Sequence, residues 1–350
     1  MSTTLTVALA SLGGIVLAGV IAHGAWQARR AGPKRASPTL REEPSVSAPR
    51  DSDASALAED DSPTDDEAAP RRTSKRLPLQ LDALIDACAP ITIDAPIGGD
   101  VVLAHLPSKR HVGSKLVIVE GLDSETGAWE APTAGRRYGE LQAGVQLASR
   151  TGALNEIEYS EFVQRMQTFA EAVGAGMDPP DMLDVMARAR ELDAFASQHD
   201  AQLAVHLHAR GAAWSVGYIQ QHARRHGFVP GVVAGRLVYP SAEEGAPPVL
   251  TLTYDSQAAL ADEPDRAAVR DVTLAFDVPQ TDASVEPFKA WQAAAQALAV
   301  GMEADIVDDD GRPLSGGGFE AIGAELGALY AALDGRGLAA GTPSARRLFS

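Results

Sequence analysis

From Leu5 to Trp26 the chain runs for 22 residues without a Lys, Arg, Asp or Glu, and Arg29, Arg30, Lys34 and Arg35 follow at once. A helix of that length spans roughly 33 Å, enough to cross the hydrocarbon core of a bilayer. As a buried helix of a soluble domain it would have no partner, because the stretch after it is polar and poor in large apolar side chains. It also fits a secretory signal peptide poorly: Ser2, Thr3 and Thr4 supply no basic leader, the run is long, and no small-residue cleavage site stands out. The pattern predicts a single-pass membrane anchor with its basic flank over residues 1–36. Positive charge lies only on the C-terminal side, so the positive-inside rule puts the N-terminus outside and residues 29 onward in the cytoplasm. His23 would sit neutral near the interface, and Trp26 suits the headgroup belt.

Residues 37–76 are rich in Pro, Ser, Ala, Asp and Glu, with an acidic run from Asp51 to Glu67 and a basic end at Arg71, Arg72, Lys75 and Arg76. They offer little apolar surface to offset the entropy of ordering and read as a disordered tether. A coil of about 40 residues has a root-mean-square span of roughly 35 Å and a fully extended reach of about 130 Å. Basic residues near the anchor should hug anionic lipid of the inner leaflet, while the acidic run is repelled by it.

The formal charge of −17 and a pI near 4.8 exclude a nucleic-acid-binding role, since a phosphate backbone rewards clustered Lys and Arg. Cys88 is the single cysteine, so there is no intrachain disulfide and no cysteine-based zinc site, as suits a reducing cytoplasm. About 270 residues remain beyond the tether, enough for two folded units.

From Leu77 the pattern becomes that of a folded protein. Ile91–Ile93, Lys115–Val119 and Leu141–Ala148 read as strands, and Val101–Leu106 as a strand or a helical turn. Ser160–Val173 is an amphipathic helix with Phe162, Val163, Met166, Phe169 and Val173 on one stripe, and Pro180–Ser197 is a second helix. In Gln202–His208 the residues Leu203, Val205 and Leu207 alternate with Ala204, His206 and His208, as in a half-buried strand. A helix around Ser215–His226, an antiparallel pair at Arg236–Tyr239 and Val249–Tyr254, and a strand at Val269–Val278 follow. The chain then reads as a helix over Glu286–Val300, a short strand at Ala304–Val307 and a last helix over Phe319–Leu333.

The two halves rhyme. Gln142–Gly174 and Asp271–Gly301 each read strand, loop, long helix; Leu81-Asp82-Ala83 and Leu192-Asp193-Ala194 each lead into a short strand. The expectation is an α+β protein: an extra unit at residues 77–197, a degenerate copy by element order, a second unit at 198–335, and a flexible tail at 336–350.

Several pieces together resemble the ZipA family of bacterial cell-division proteins. They are the anchor exit His23-Gly24-Ala25-Trp26 with its basic flank, Ile219-Gln220-Gln221 running to Gly227-Phe228, Val272-Thr273-Leu274-Ala275-Phe276-Asp277-Val278-Pro279 followed by Phe288-Lys289, and the aspartate turn Val307-Asp308-Asp309-Asp310-Gly311-Arg312. Anchor, charged Pro-rich linker and C-terminal domain also occur in the family's order. The resemblance implies a C-terminal split β-α-β domain whose sheet is covered by helices on one face. Its open face would take the C-terminal peptide of the ring protein FtsZ, as an inner-membrane adaptor without catalysis or cofactor. Residues 77–197 depart from the family's usual form, and they could bind another divisome protein, pack on the second unit or cover its open face.

If Leu203, Val205, Leu207, Leu274, Phe276 and Val278 pack under the helices, then His206, His208, Thr273 and Ala275 face out. On the hairpin, Thr251 and Thr253 oppose Leu250, Leu252 and Tyr254, and either Arg236 and Val238 or Leu237 and Tyr239 face out; Arg236 and Val238 are taken as the candidates. By motif register His208 and Ala275 stand where the family has larger apolar groove residues, which would cost a peptide about 1–2 kcal/mol.

Rival chemistry is weaker. His199, His206, His208, His222 and His226 invite a metal, but the strand pair and the helix pair would lie on opposite sides of the sheet. Glu156, Glu158 and Glu161 suit a helix N-terminus better than a paired-carboxylate site. Gly316-Gly317-Gly318 lacks a phosphate-loop context and reads as a loop. Cys88 follows Ile85 on an apparent helical stripe, as a core thiol. The alternatives to an adaptor are a membrane-anchored enzyme with its site in residues 77–197 and a self-associating structural domain.

Overall fold

The computed structural model describes residues 80–263 and 266–350; the expected anchor and tether lie outside the described residues. The described chain is an α+β protein. Its first unit runs β1 (Asp86–Thr92), β2 (Ile97–Gly98), α1 (Gly99–His105), β3 (His111–Val112), β4 (Lys115–Asp123), β5 (Trp129–Glu130), β6 (Arg137–Gln146), β7 (Ala148–Ser149), β8 (Gly152–Ala153), α2 (Glu156–Ala172), β9 (Gly176–Met177) and α3 (Met182–His199). The second runs β10 (Gln202–Ala209), α4 (Val216–Arg225), β11 (Val229–Pro230), β12 (Arg236–Tyr239), β13 (Leu250–Thr253), α5 (Ser256–Ala259), β14 (Asp271–Asp277), α6 (Pro287–Met302), β15 (Ala304–Val307), α7 (Gly316–Gly335) and α8 (Pro343–Leu348).

Each unit builds an antiparallel sheet around its own first strand. The orders are β3-β4-β6-β1-β9 and β11-β12-β13-β14-β10-β15. In both, the first strand is flanked by the strand that precedes a long helix and by the short edge strand that follows that helix. Gln146 and Asp277 end the two equivalent strands, each at the same remove from its helix start at Glu156 or Pro287.

Local chemistry explains these elements. Asn155 caps α2 by accepting from the N–H groups of Ile157 and Glu158 at 3.0 Å, while Glu158 accepts the Asn155 N–H at 3.2 Å, a reciprocal capping box. The helix buries Tyr159, Phe162, Met166, Phe169 and Ala170. In the second unit Val205, Leu207, Leu250, Leu252, Val272, Leu274 and Phe276 form the sheet's buried side, in one core with Ile219, Trp291 and Leu298 from the helices. Trp291 donates its indole N–H to the Leu274 carbonyl at 3.0 Å, so its burial leaves no donor unmet.

Three expectations change and one alternative is decided. Ile85 and Cys88 lie at and in a strand rather than on a helix: Ile85, Ala87, Ala89 and Ile91 are buried with a period of two, and Cys88 faces the other way, half-buried. Of the two readings of Val101–Leu106, the helical one holds, in a helix over Gly99–His105. The three glycines 316–318 form the first turn of α7, where Phe319 and Leu326 bury in the second core and offset their low helix propensity. Residues 336–350 are no free tail, because Leu338, Ala345, Leu348 and Phe349 are buried in the first unit's core, to which Leu333 of α7 also belongs. Burying those apolar side chains holds the C-terminus in place.

The units are therefore interlocked. Arg347 forms a bidentate pair with Asp86 at 2.9 and 2.5 Å, buried on both sides, and donates to the Gln80 carbonyl at 2.9 Å. Gln146 donates to the Arg347 carbonyl at 2.9 Å. In the opposite direction, Arg150 of the first unit reaches Asp200 at 2.8 and 2.6 Å and Asp277 at 2.7 Å.

Candidate docking face on the second sheet

The eight candidate residues all lie on one face of the second sheet. Strand register places Val229 beside Val238, Val238 beside Thr251, Thr251 beside Ala275, and Ala275 beside Ala204, one row across five strands. The next row is Arg236, Thr253, Thr273, His206 and Val307. His208, opposite Asp271, extends the face by one step. The parity of the hairpin is settled by burial: Leu237 is in the core and Arg236 is exposed, because Leu237 pairs with the inward Leu252.

The two rows differ in character. His206 is engaged at both ring nitrogens, Nε2 with an Asp309 carboxylate oxygen at 2.9 Å and Nδ1 with the Thr273 hydroxyl at 3.1 Å. Those partners fit a ring that carries its proton on Nε2 and accepts at Nδ1. His208 pairs with Asp271. Asp309 arrives from the aspartate turn, which Asp308 ties by accepting from the N–H groups of Asp310 at 3.0 Å and Arg312 at 2.8 Å. This half of the face is polar and internally satisfied. The Val229–Ala204 row is apolar and shallow, with Ala275 at its floor, 7% exposed between Thr251 and Ala204. It continues at the sheet edge into Val229, Val232 and Val233, all exposed. Arg236 stands beside it, its guanidinium 3.4 Å from the Thr251 hydroxyl.

Sequence reasoning missed the valines at 229, 232 and 233, for which the only signal was an apolar cluster between turn glycines. It also missed Arg150, which binds Asp277 at one end of the face from the other unit. Its neighbours explain the reach: Lys115 is buried and donates to Ser149 Oγ at 3.0 Å, Thr151 Oγ1 at 3.1 Å and the Gly152 carbonyl at 2.6 Å, bracing the turn that carries Arg150. Burial lowers the Lys115 pKa, against the opposing charges of Glu158 and Asp193. Burial raises the Asp277 pKa, against the opposing pull of Arg150.

His222 is on α4 and His226 caps its end, away from the strand histidines, and among the described residues no group of three or more His, Cys, Asp or Glu is placed to hold a metal. Glu156 meets Arg190 at 3.3 Å, Glu158 serves the capping box, and Glu161 pairs with Arg165. A depression of about 450 Å³ between His105, Pro107 and α2 is crossed by Arg165, which donates to the carbonyls of Lys109 and His111 and so joins two elements. No helix of the described residues is long and apolar enough to cross a membrane.

An α+β protein whose second sheet has one face uncovered by helices among the described residues is the class that these features define. No family model matches the chain, and no curated protein does. Among solved structures, berberine bridge enzyme from Eschscholzia californica, in its monoclinic crystal form, is similar over 64% of this chain at 9% identity with a TM-score of 0.15. The chain spans 42% of that enzyme's length, and a likeness this slight carries no argument about fold or activity.

Proposed function

We propose that this chain is a membrane-tethered adaptor of the ZipA type, in which the second unit takes the C-terminal tail of FtsZ on its uncovered sheet face and links the division ring to the inner membrane. The observation that carries this reading is the single apolar row from Val229 through Val238, Thr251 and Ala275 to Ala204, on the side of the sheet away from the buried core. An extended or helical peptide gains affinity on such a surface by apolar burial, and polymer multivalency would multiply it. In this reading the second unit is a split β-α-β domain of that family and the first is a degenerate copy. No catalytic step and no cofactor belongs to it. The order of anchor, charged tether and folded region in the sequence supports the same conclusion, with the N-terminus periplasmic and the bulk of the chain cytoplasmic.

The test is a calorimetric and amide-shift titration of the FtsZ C-terminal peptide into the full chain in detergent. Because α8 completes the first core, fragments of the second unit are poor substitutes. Saturable shifts at Val238, Thr251, Thr273 and Ala275, and at least tenfold weaker binding by Val238→Asp, are the expected result. Absence of binding at millimolar peptide would end the FtsZ reading. Concentration-dependent dimers without peptide binding would point to self-association.

A further inference from the structure

The first sheet has the same kind of outer face, and there the chain covers it with itself. Ile118, Gly144 and Cys88 form one row across β4, β6 and β1, and Glu120, Gln142 and Pro90 form the next. By the strand alignment above, Gly144 corresponds to Ala275 and Cys88 to Ala204. Leu81 sits on the bare backbone of Gly144: a Cβ built there would lie 2.3 Å from the Leu81 Cδ2 atom. The Leu81 N–H donates to Glu120 Oε1 at 2.7 Å, and Gln142 holds the other carboxylate oxygen at 2.8 Å. Glu120 is 2% exposed, a buried carboxylate that meets a main-chain amide of the covering segment. The next amide, of Asp82, donates to Asp86 at 2.9 Å before the chain turns into β1.

One aliphatic side chain over a glycine, with its own amide given to a buried carboxylate, is how a short peptide docks on a sheet. We propose that the outer face of the first sheet is a peptide-docking site for a leucine-centred segment with a free main-chain amide, and that residues 80–84 occupy it in cis. Leu81 is the segment's one apolar anchor on this face, while Arg347 and Arg188 hold the Gln80 and Ala83 carbonyls on either side, so loss of the Leu81 side chain opens the seat to a competing peptide of the same chemistry. This site stands apart from the FtsZ reading of the second sheet and survives its failure.

Cys88 reports on the site without ambiguity, because it is the chain's only cysteine and lies beside Gly144. The experiment follows alkylation of Cys88 in the full chain carrying Leu81→Ser, with and without a synthetic peptide of this chain's own residues 77–84. The variant is expected to react about tenfold faster than the parent. The peptide should slow it saturably, and the same peptide N-methylated at its Leu81 position should not. Gly144→Ala keeps the segment intact but fills the seat, so it should raise the rate with no response to peptide. Near-ultraviolet signals of the buried tryptophans verify that each variant is folded. Unchanged alkylation in both variants overturns the proposal, and so does faster alkylation of Leu81→Ser that peptide cannot slow.

Discussion

The two sheets share strand order and differ in what lies on their outer faces. On the first, Leu81 fills the seat over Gly144 and Arg347 closes the end on Asp86; on the second, no segment among the described residues is seated over the corresponding row at Ala275, and Arg150 closes the end on Asp277. Each end row is thus sealed by an arginine delivered from the other unit's side of the chain. The comparison teaches that the outer face of a sheet of this kind is closed or left open by the residues before and after it. The sheet itself is nearly unchanged.

The sharpest way to break the comparison is Arg347→Ala. It leaves the buried Asp86 carboxyl without its cationic partner, with only the Asp82 N–H still donating to it, and the expected loss is about 3–5 kcal/mol in urea unfolding. Burial already raises the Asp86 pKa against the pull of Arg347, so the double change Arg347→Met with Asp86→Leu should recover most of that loss. Val238→Asp acts on the open face alone: peptide affinity should fall at least tenfold, while thermal unfolding moves by no more than about 0.5 kcal/mol. Arg150→Ala removes a pair that is one-third exposed, for an expected cost of about 1 kcal/mol that shrinks at high salt. A smaller effect separates the faces by pH. Burial, helped by the charges of Asp86, Glu120 and Asp82, pushes the Cys88 thiol up to about 11. Its alkylation should therefore have a midpoint near pH 11 in the parent and nearer the ordinary 9.0 in Leu81→Ser. Since the folded value lies above the ordinary one, the thiol's contribution to stability is intact below pH 9 and is lost as the pH rises towards 11.

Much of the second unit was legible. In β10 and β14 the alternation of large apolar and polar residues assigns faces before any contact is known, and the candidates His206, His208, Thr273 and Ala275 follow from it. The four-residue β12 was ambiguous, since Leu237 and Tyr239 are as apolar as Val238; only pairing with Leu252 decides which side is buried. The start of β1 was misread because Ile85 and Cys88, three residues apart, suit one helical stripe, whereas the period of two over Ile85, Ala87, Ala89 and Ile91 is set by its neighbours β6 and β9. Nothing local marked residues 336–350 as core. Their apolar side chains are sparse, and Leu348 and Phe349 acquire a partner only where β1 and β6 already stand.

The sequence by itself determined most of the element types, the acidic helix start at Glu156 and Glu158, the order shared by the two units and the outward set on the second sheet, because periodicity and helix-terminus chemistry act within a few residues. Only the tertiary structure decided that Leu81 covers one sheet, that Arg150 and Arg347 cross between units, and that the C-terminus is buried. Those contacts join residues up to 267 positions apart, and no local pattern encodes which distant surface a side chain will meet.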